Sequence, residues 1–184
     1  MTSASQAAAL PAMDQHIGFR PQQPDDEPFL CRLYTSTRTE EMALTGWPEE
    51  QKEAFLRQQF QFQTVHYRRY YNTASFDIIL YDQRPVGRIY VHRSSNDIRL
   101  MDVALMPEYR GAGIGSWILR NLLAEAARSQ TPVTLHVEPY NPAVRLYRRL
   151  GFRVVEQQGM NLFMECRTEH TADRSVEDNG VNRE

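Results

Sequence analysis

Leu100-Met-Asp-Val-Ala-Leu-Met-Pro-Glu-Tyr-Arg-Gly-Ala-Gly-Ile-Gly-Ser116 is the stretch whose reading decides the fold. An apolar strand runs into Pro107. An arginine and three glycines at alternate positions follow, and then a strongly amphipathic helix. Glycines at a strand-to-helix junction let the backbone come close to a ligand, and the free N–H groups and dipole of the helix start attract an anion, usually a phosphate. The loop therefore points to a phosphorylated ligand.

The kind of ligand narrows by elimination. A triphosphate-binding P-loop needs a lysine after its last glycine, and this loop has none. A dinucleotide fingerprint needs Gly-x-Gly-x-x-Gly, and counting from Gly111 its last place is Ser116. That fold also needs several further strand–helix units, for which the 68 residues after Ser116 are too few. A nicotinamide-dependent oxidoreductase is accordingly the least favoured reading.

Outward from the loop, the helix buries Ile118, Leu119, Leu122, Leu123 and Ala126, and Gln130-Thr131-Pro132 ends it. Val133 to Glu138 alternates as a strand, with Thr134, His136 and Glu138 on the polar face. Asn141 is a good N-cap, Pro142 suits the first helical position and Gly151 a C-terminal cap. Between them Ala143, Leu146, Tyr147 and Leu150 share one helix face. Arg153 to Gln157 and Leu162 to Cys166 form a last hairpin about Gln158-Gly159. Upstream, Phe76 to Tyr81, Val86 to His92 and Ile98 to Met106 form a meander, with Gly87 as a candidate bulge. His16 to Arg20 is a short first strand. Two helices follow it, one from Asp25-Asp26 and one from Pro48 to near Tyr70. The second is aromatic, and core packing is expected for most of Phe55, Phe60, Phe62, Tyr67 and Tyr70.

Arg110-Gly111-Ala112-Gly113-Ile114-Gly115 resembles the pyrophosphate loop of the GNAT (GCN5-related N-acetyltransferase) superfamily. Asn141-Pro-Ala-Val-Arg-Leu-Tyr147-Arg-Arg-Leu-Gly151-Phe152 resembles its second signature. The resemblance covers residues 76 to 166 well and the first 75 only loosely. It implies an α/β (α+β) acyl-CoA N-acyltransferase fold: a mixed sheet of about seven strands flanked by four helices, in the order βαα-βββ-α-β-α-ββ. It implies acetyl-CoA as co-substrate, with no metal, and an amine acceptor, either a small molecule or a protein N-terminus. Val103, Ala104 and Leu105 would pair with the pantetheine amides. Arg110, Gly111, Ala112, Gly113, Ile114, Gly115 and Ser116 would hold the pyrophosphate, and Asn141, Ala143 and Tyr147 would flank the arm. Tyr147 is the candidate acid. His136 is the first candidate for the base, Glu138 the second and Asp102 a weaker third, with a water chain as the other route. The segment joining the first two helices overhangs the acceptor in this family, which makes Met42 and Trp47 candidate substrate contacts. A catalytically weak acyl-CoA-binding module of the same fold is the alternative function.

Composition bounds the rest. The chain has 184 residues, 41% of them hydrophobic, which suits one domain. We expect it over residues 15–166, between loose tails at 1–14 and 167–184. A net charge of −2 without a long basic run argues against nucleic-acid binding. Cys31 and Cys166 imply neither a disulfide framework nor a metal pair. No run approaches the ~20 apolar residues of a membrane helix, and the N-terminus does not read as a signal peptide. A cytoplasmic protein without membrane association follows, and a homodimer is left open.

Overall fold

The computed structural model describes residues 13–167. The expected tails therefore lie outside the described residues, apart from Met13, Asp14 and Arg167. Met13–Gln15 forms a short 3-10 turn. The Asp14 carboxylate in it accepts a hydrogen bond from the Trp117 indole at 2.6 Å.

The elements run β1 (Ile17–Pro21), α1 (Glu27–Ala43), α2 (Glu49–Tyr70), β2 (Ser75–Tyr81), β3 (Arg84–Arg93), β4 (Ile98–Leu105), α3 (Ile114–Ser129), β5 (Val133–Val137), α4 (Ala143–Arg149), β6 (Arg153–Gln158) and β7 (Asn161–Cys166). This is the expected order. The seven strands form one sheet in the order β1-β2-β3-β4-β5-β7-β6. All neighbours are antiparallel except β4 and β5.

The sheet has a core on each face. On one, Ile79, Ile89, Val91, Leu100 and Leu135 pack against α3 and α4 through Ile114, Ile118, Leu119, Leu122, Val144 and Tyr147. On the other, Ile78 and Leu80 pack against Leu30, Leu33, Leu56 and Phe60 of α1 and α2. The aromatics of α2 divide. Phe60 is buried, whereas Phe62 and Tyr70 are exposed, so core packing does not hold for those two. A 22-residue helix lying on a sheet offers only one stripe to the core, and these two rings fall outside it.

Two irregularities shape β4. Its pairing with β5 covers only Ile98, Leu100 and the residue between them, opposite Val133, Leu135 and Thr134. Beyond Leu100 the two strands part. At that point β4 carries a bulge: Tyr90 faces Asp102 and Val91 faces Leu100, leaving Met101 as the extra residue. A bulge bends its strand and reverses the alternation of side chains. Ile98 and Leu100 lie on the α3 face before it. After it, Val103 and Leu105 take that face, and Ala104 and Met106 the other. A second bulge lies at Val86 in β3, beside Gly87, the position marked for one in the sequence.

Candidate active site

The parting of β4 and β5 leaves the edge of β4 at Val103, Ala104 and Leu105 that faces away from β3 without a strand partner among the described residues. Just past it comes the glycine loop. Gly111 and Gly113 hold φ of 76° and 88°, left-handed values that disfavour any side chain. The first helical hydrogen bond of α3 runs from the Trp117 N–H to the Gly113 carbonyl. The N–H groups from Gly111 to Ser116 thus have no backbone acceptor among the described residues and gather at the positive end of a 16-residue helix. An unpaired strand edge leading to this cradle suits an elongated ligand with amides along its arm and phosphates at its far end.

Arg110 does not point its cation into that cradle. Its Nε donates to the Leu105 carbonyl at 2.8 Å and its Nη2 to the Ser36 hydroxyl at 3.0 Å. It braces the loop against β4 and α1. Arg149, not singled out in the sequence, instead reaches the Ser116 hydroxyl at 3.5 Å from α4. It brings a cation to the first turn of α3.

Tyr147 is 6% exposed and reaches the sheet from α4, its ring tilted against that of Phe152. Burial and then the nearby Asp102 charge push its hydroxyl up to about 12. It is therefore a neutral donor across the physiological range. Asn141 does the capping read from the sequence, its Oδ1 accepting from the Ala143 N–H at 2.9 Å.

Across β4, on the α1/α2 face, lies a buried polar cluster that sequence reading largely missed. Arg88 of β3 is 3% exposed and donates to the Asp102 carboxylate at 2.5 Å. The same Nη2 reaches Gln63 of α2 at 2.8 Å. The guanidinium lies 5.0 Å from the Tyr90 ring centre and 6.0 Å from that of Tyr34. Burial works against the Arg88 charge, and the Asp102 carboxylate more than restores it. Tyr67 donates to the bulge carbonyl of Met101 at 3.4 Å, and burial, then Asp102, raises its pKa. The bulge is what brings Asp102 here. Regular alternation would set it beside Ile98 and Leu100 on the α3 face. An arginine and an aspartate within two apolar strands were the available signal, but only the register shows that they meet.

The other base candidates lie elsewhere. His136 shares a hydrogen bond at Nε2 with Gln158 of β6 at 2.7 Å, and its ring lies tilted 5.0 Å from that of Phe163 of β7. Its ring thus leans over β7, away from the β4–β5 opening. Glu138 is held 3.6 Å from Arg38 of α1, which also approaches Glu41. Met42 is 7% exposed and packs in the α1/α2 core, the buried residue of an otherwise exposed last turn of α1. Trp47 is 37% exposed and packs edge-on against Phe55 in the α1–α2 connection. Among the described residues, no group of three or more His, Cys, Asp or Glu side chains could hold a metal ion. No helix there is long and apolar enough to cross a membrane.

Comparison with known proteins bears on this geometry. The sequence profile of the acetyltransferase (GNAT) family matches residues 30–152. The fold is similar to that of the PaiA N-acetyltransferase from Thermoplasma acidophilum, solved in complex with coenzyme A: 20% identity over 83% of this chain and 99% of that one, TM-score 0.63. It is also similar to an acetyltransferase from Thermus thermophilus, at 22% identity over 82% and 95%, TM-score 0.58. Ard1 from Thermoplasma volcanium matches at 19% identity over 84% and 99%, TM-score 0.55. At these identities the structures establish a shared fold.

Proposed function

The chain belongs to the acetyltransferase (GNAT) family, an acyltransferase family, and from that premise we propose that it moves an acetyl group from acetyl-CoA to a primary amine by direct attack within a ternary complex. The observation that carries this reading is the β4 edge at Val103 to Leu105, beyond the last β4–β5 pairing, leading to N–H groups of Gly111 to Ser116 that have no backbone acceptor among the described residues. The first would pair with the amides of the pantetheine arm, and the second, with Arg149, would hold the pyrophosphate. The coenzyme A bound in the Thermoplasma acidophilum structure supports this assignment. Two free cysteines suit a reducing, cytoplasmic setting.

We assign the proton transfers to Asp102 and Tyr147. The amine nitrogen attacks the thioester carbonyl carbon, forming a C–N bond as the C–S bond breaks. A proton from nitrogen goes to the Asp102 carboxylate and on to water. The departing sulfur takes a proton from the Tyr147 hydroxyl, which water replaces. The sum is acetyl-CoA plus the neutral amine giving an amide and CoA thiol; an acceptor that arrives as an ammonium first loses one further proton to water, which is the net proton released. The two steps support each other. Asp102 as an anion opposes loss of the Tyr147 proton. Once neutralised by the amine's proton, it opposes that loss no longer. His136, whose ring leans toward β6, and Glu138, paired with Arg38, fit the role of base less well.

The test is acetyl-CoA with a panel of primary amines: diamines, aralkylamines, amino acids and short peptides with free N-termini. Thiol release and the mass of the product are followed together. Amine-dependent thiol release with a product 42 Da heavier is expected, a gain on the order of that mass being what one acetyl-for-hydrogen exchange requires. Tight CoA binding without turnover of any amine would instead favour the weakly catalytic binding module.

A further inference from the structure

The short turn at Met13–Gln15 belongs to neither sequence signature, yet it packs against the glycine loop. The Met13 methyl lies 3.3 Å from where a Cβ on Gly113 would stand, so the side chain covers the loop's left-handed glycine. Beside it, the Asp14 carboxylate accepts from the Trp117 indole at 2.6 Å. Trp117 in turn donates its backbone N–H to the Gly113 carbonyl at 3.0 Å. These four residues close a ring of contacts about the first turn of α3. The turn is tied down at its other end as well. The His16 N–H donates to the Met13 carbonyl at 3.0 Å, and the His16 ring meets the Asp82 carboxylate at 2.6 Å between β2 and β3.

The side from which the turn approaches makes it a support and not an obstruction. The Trp117 ring lies near-parallel to that of Phe19 of β1, their centres 6.2 Å apart. The indole is therefore on the β1 flank of α3, and the turn is there with it. Arg149 meets Ser116 from α4, the helix that follows β5. In the sheet, β1 and β5 lie on opposite sides of β4. The turn thus backs the loop from the flank away from the β4–β5 opening. A run of glycines has few side-chain contacts to fix its shape, and glycine loses more freedom on ordering than any other residue. A loop ordered in advance relieves the ligand of that cost.

We propose that Met13 and Asp14 are positioning residues for CoA: acting through Gly113 and Trp117, they hold the loop and the first turn of α3 in the shape that receives the pyrophosphate. This rests on the reading of the loop as the pyrophosphate seat, so the experiment includes a readout that needs no ligand. Amide exchange at Trp117 is followed by 1H–15N NMR in the full chain without CoA, with Leu122 of the same helix as internal reference. Asp14 is exposed, and its substitution leaves the core intact. Asp14→Ala should speed exchange at Trp117 about five- to tenfold and leave Leu122 unchanged, a local opening eased by the loss of one hydrogen bond to a charged group. CoA affinity by calorimetry should weaken by a similar factor. KM for acetyl-CoA should rise with it while kcat stays within about twofold, because the contact serves binding and not the chemical step. Asp14→Asn keeps an acceptor oxygen and should restore most of the affinity. Trp117→Phe keeps a ring beside Phe19 but not the donor, and should match Asp14→Ala. The two together should do no more than either alone, as expected of partners in one contact. Unchanged exchange and affinity in Asp14→Ala, or additive losses in the double variant, would overturn the proposal. So would CoA binding that tightens in Asp14→Ala, the result of releasing a blocking carboxylate. Faster exchange at Leu122 to the same degree, or a fall in kcat as large as the rise in KM, would mark general destabilisation and count against it equally. If wild type binds no CoA, the parent reading fails on that result alone, and the Trp117 exchange rates still support or refute the hold of the turn on the loop.

Discussion

Substituting alanine for Gly87 probes the strand edge on which the site depends. A Cβ placed there would lie 2.3 Å from the Ala104 carbonyl oxygen, 2.8 Å from Leu105 Cδ2 and 3.1 Å from Ile79 Cδ1. The two side chains can turn aside. The oxygen cannot, because Gly87 and Arg88 pair with Leu105 and Ala104 in the β3–β4 ladder. Carbon and oxygen settle near ~3.3 Å, so β4 must retreat by roughly 1 Å at Ala104. Overpacking of this kind costs ~1–3 kcal/mol, and the reduced freedom of the unfolded chain on replacing glycine returns ~0.4–1 kcal/mol. A net loss of about 1–2 kcal/mol corresponds to a fall in Tm of roughly 2–8 °C for a domain of this size. The strand that shifts is the one expected to pair with the pantetheine arm, so CoA affinity should fall about tenfold, equivalent to ~1.4 kcal/mol. Thermal unfolding and calorimetric titration with CoA measure the two effects. Gly18→Ala is the matched control, since a Cβ there meets only Leu80 atoms at 3.8 and 3.9 Å. If Gly87→Ala melts and binds CoA as Gly18→Ala does, the close approach of β3 to β4 does not set the shape of the site.

Gly113→Asp puts a side chain on a φ of 88° and a negative charge in the N–H cradle, so CoA affinity measured by calorimetry should drop at least ~10-fold, and unchanged affinity in a folded variant counts against the loop. Tyr147→Phe should keep the ring contact with Phe152 and bind CoA normally while kcat falls ~10²-fold; wild-type kcat would remove the acid role. His136→Ala should leave kcat/KM and its acid limb nearly intact, whereas Asp102→Asn should slow turnover strongly; the reverse pattern would return the base to His136. Asp26 is held below the usual carboxylate range by its hydrogen bonds from Arg20, against the cost of burial. Its stabilisation is complete above the ordinary carboxylate pKa and is lost as pH falls through the lowered one. Asp26→Asn should therefore destabilise the protein at neutral pH and weaken the dependence of urea stability on pH below about 4.

The parts of the fold governed by short-range chemistry were legible in the sequence. Glycines at alternate positions, an amphipathic period of 3.6, the Asn141 cap and the two-residue turns gave the element order and the phosphate loop. Register and packing were not legible. Asp102 reads as a residue of the α3 face until the Met101 bulge is known, and Arg88 reads as an ordinary strand residue until the two meet. His136 sits on the expected face, but whether its ring leans toward β4 or β6 depends on Gln158, 22 residues later. Arg110 follows the same lesson: its place in the loop was plain, while Leu105 and Ser36 decide where its guanidinium goes.

The central claim is that the gap between β4 and β5 is the seat of acyl-CoA. Its most direct test is an amide 1H–15N titration of the protein with CoA. The account predicts the largest shifts, saturating together, at Val103 to Leu105, beyond the last β4–β5 pairing, and at Gly111 to Ser116, at the start of α3. Saturable shifts concentrated elsewhere, or none at millimolar CoA, would contradict it.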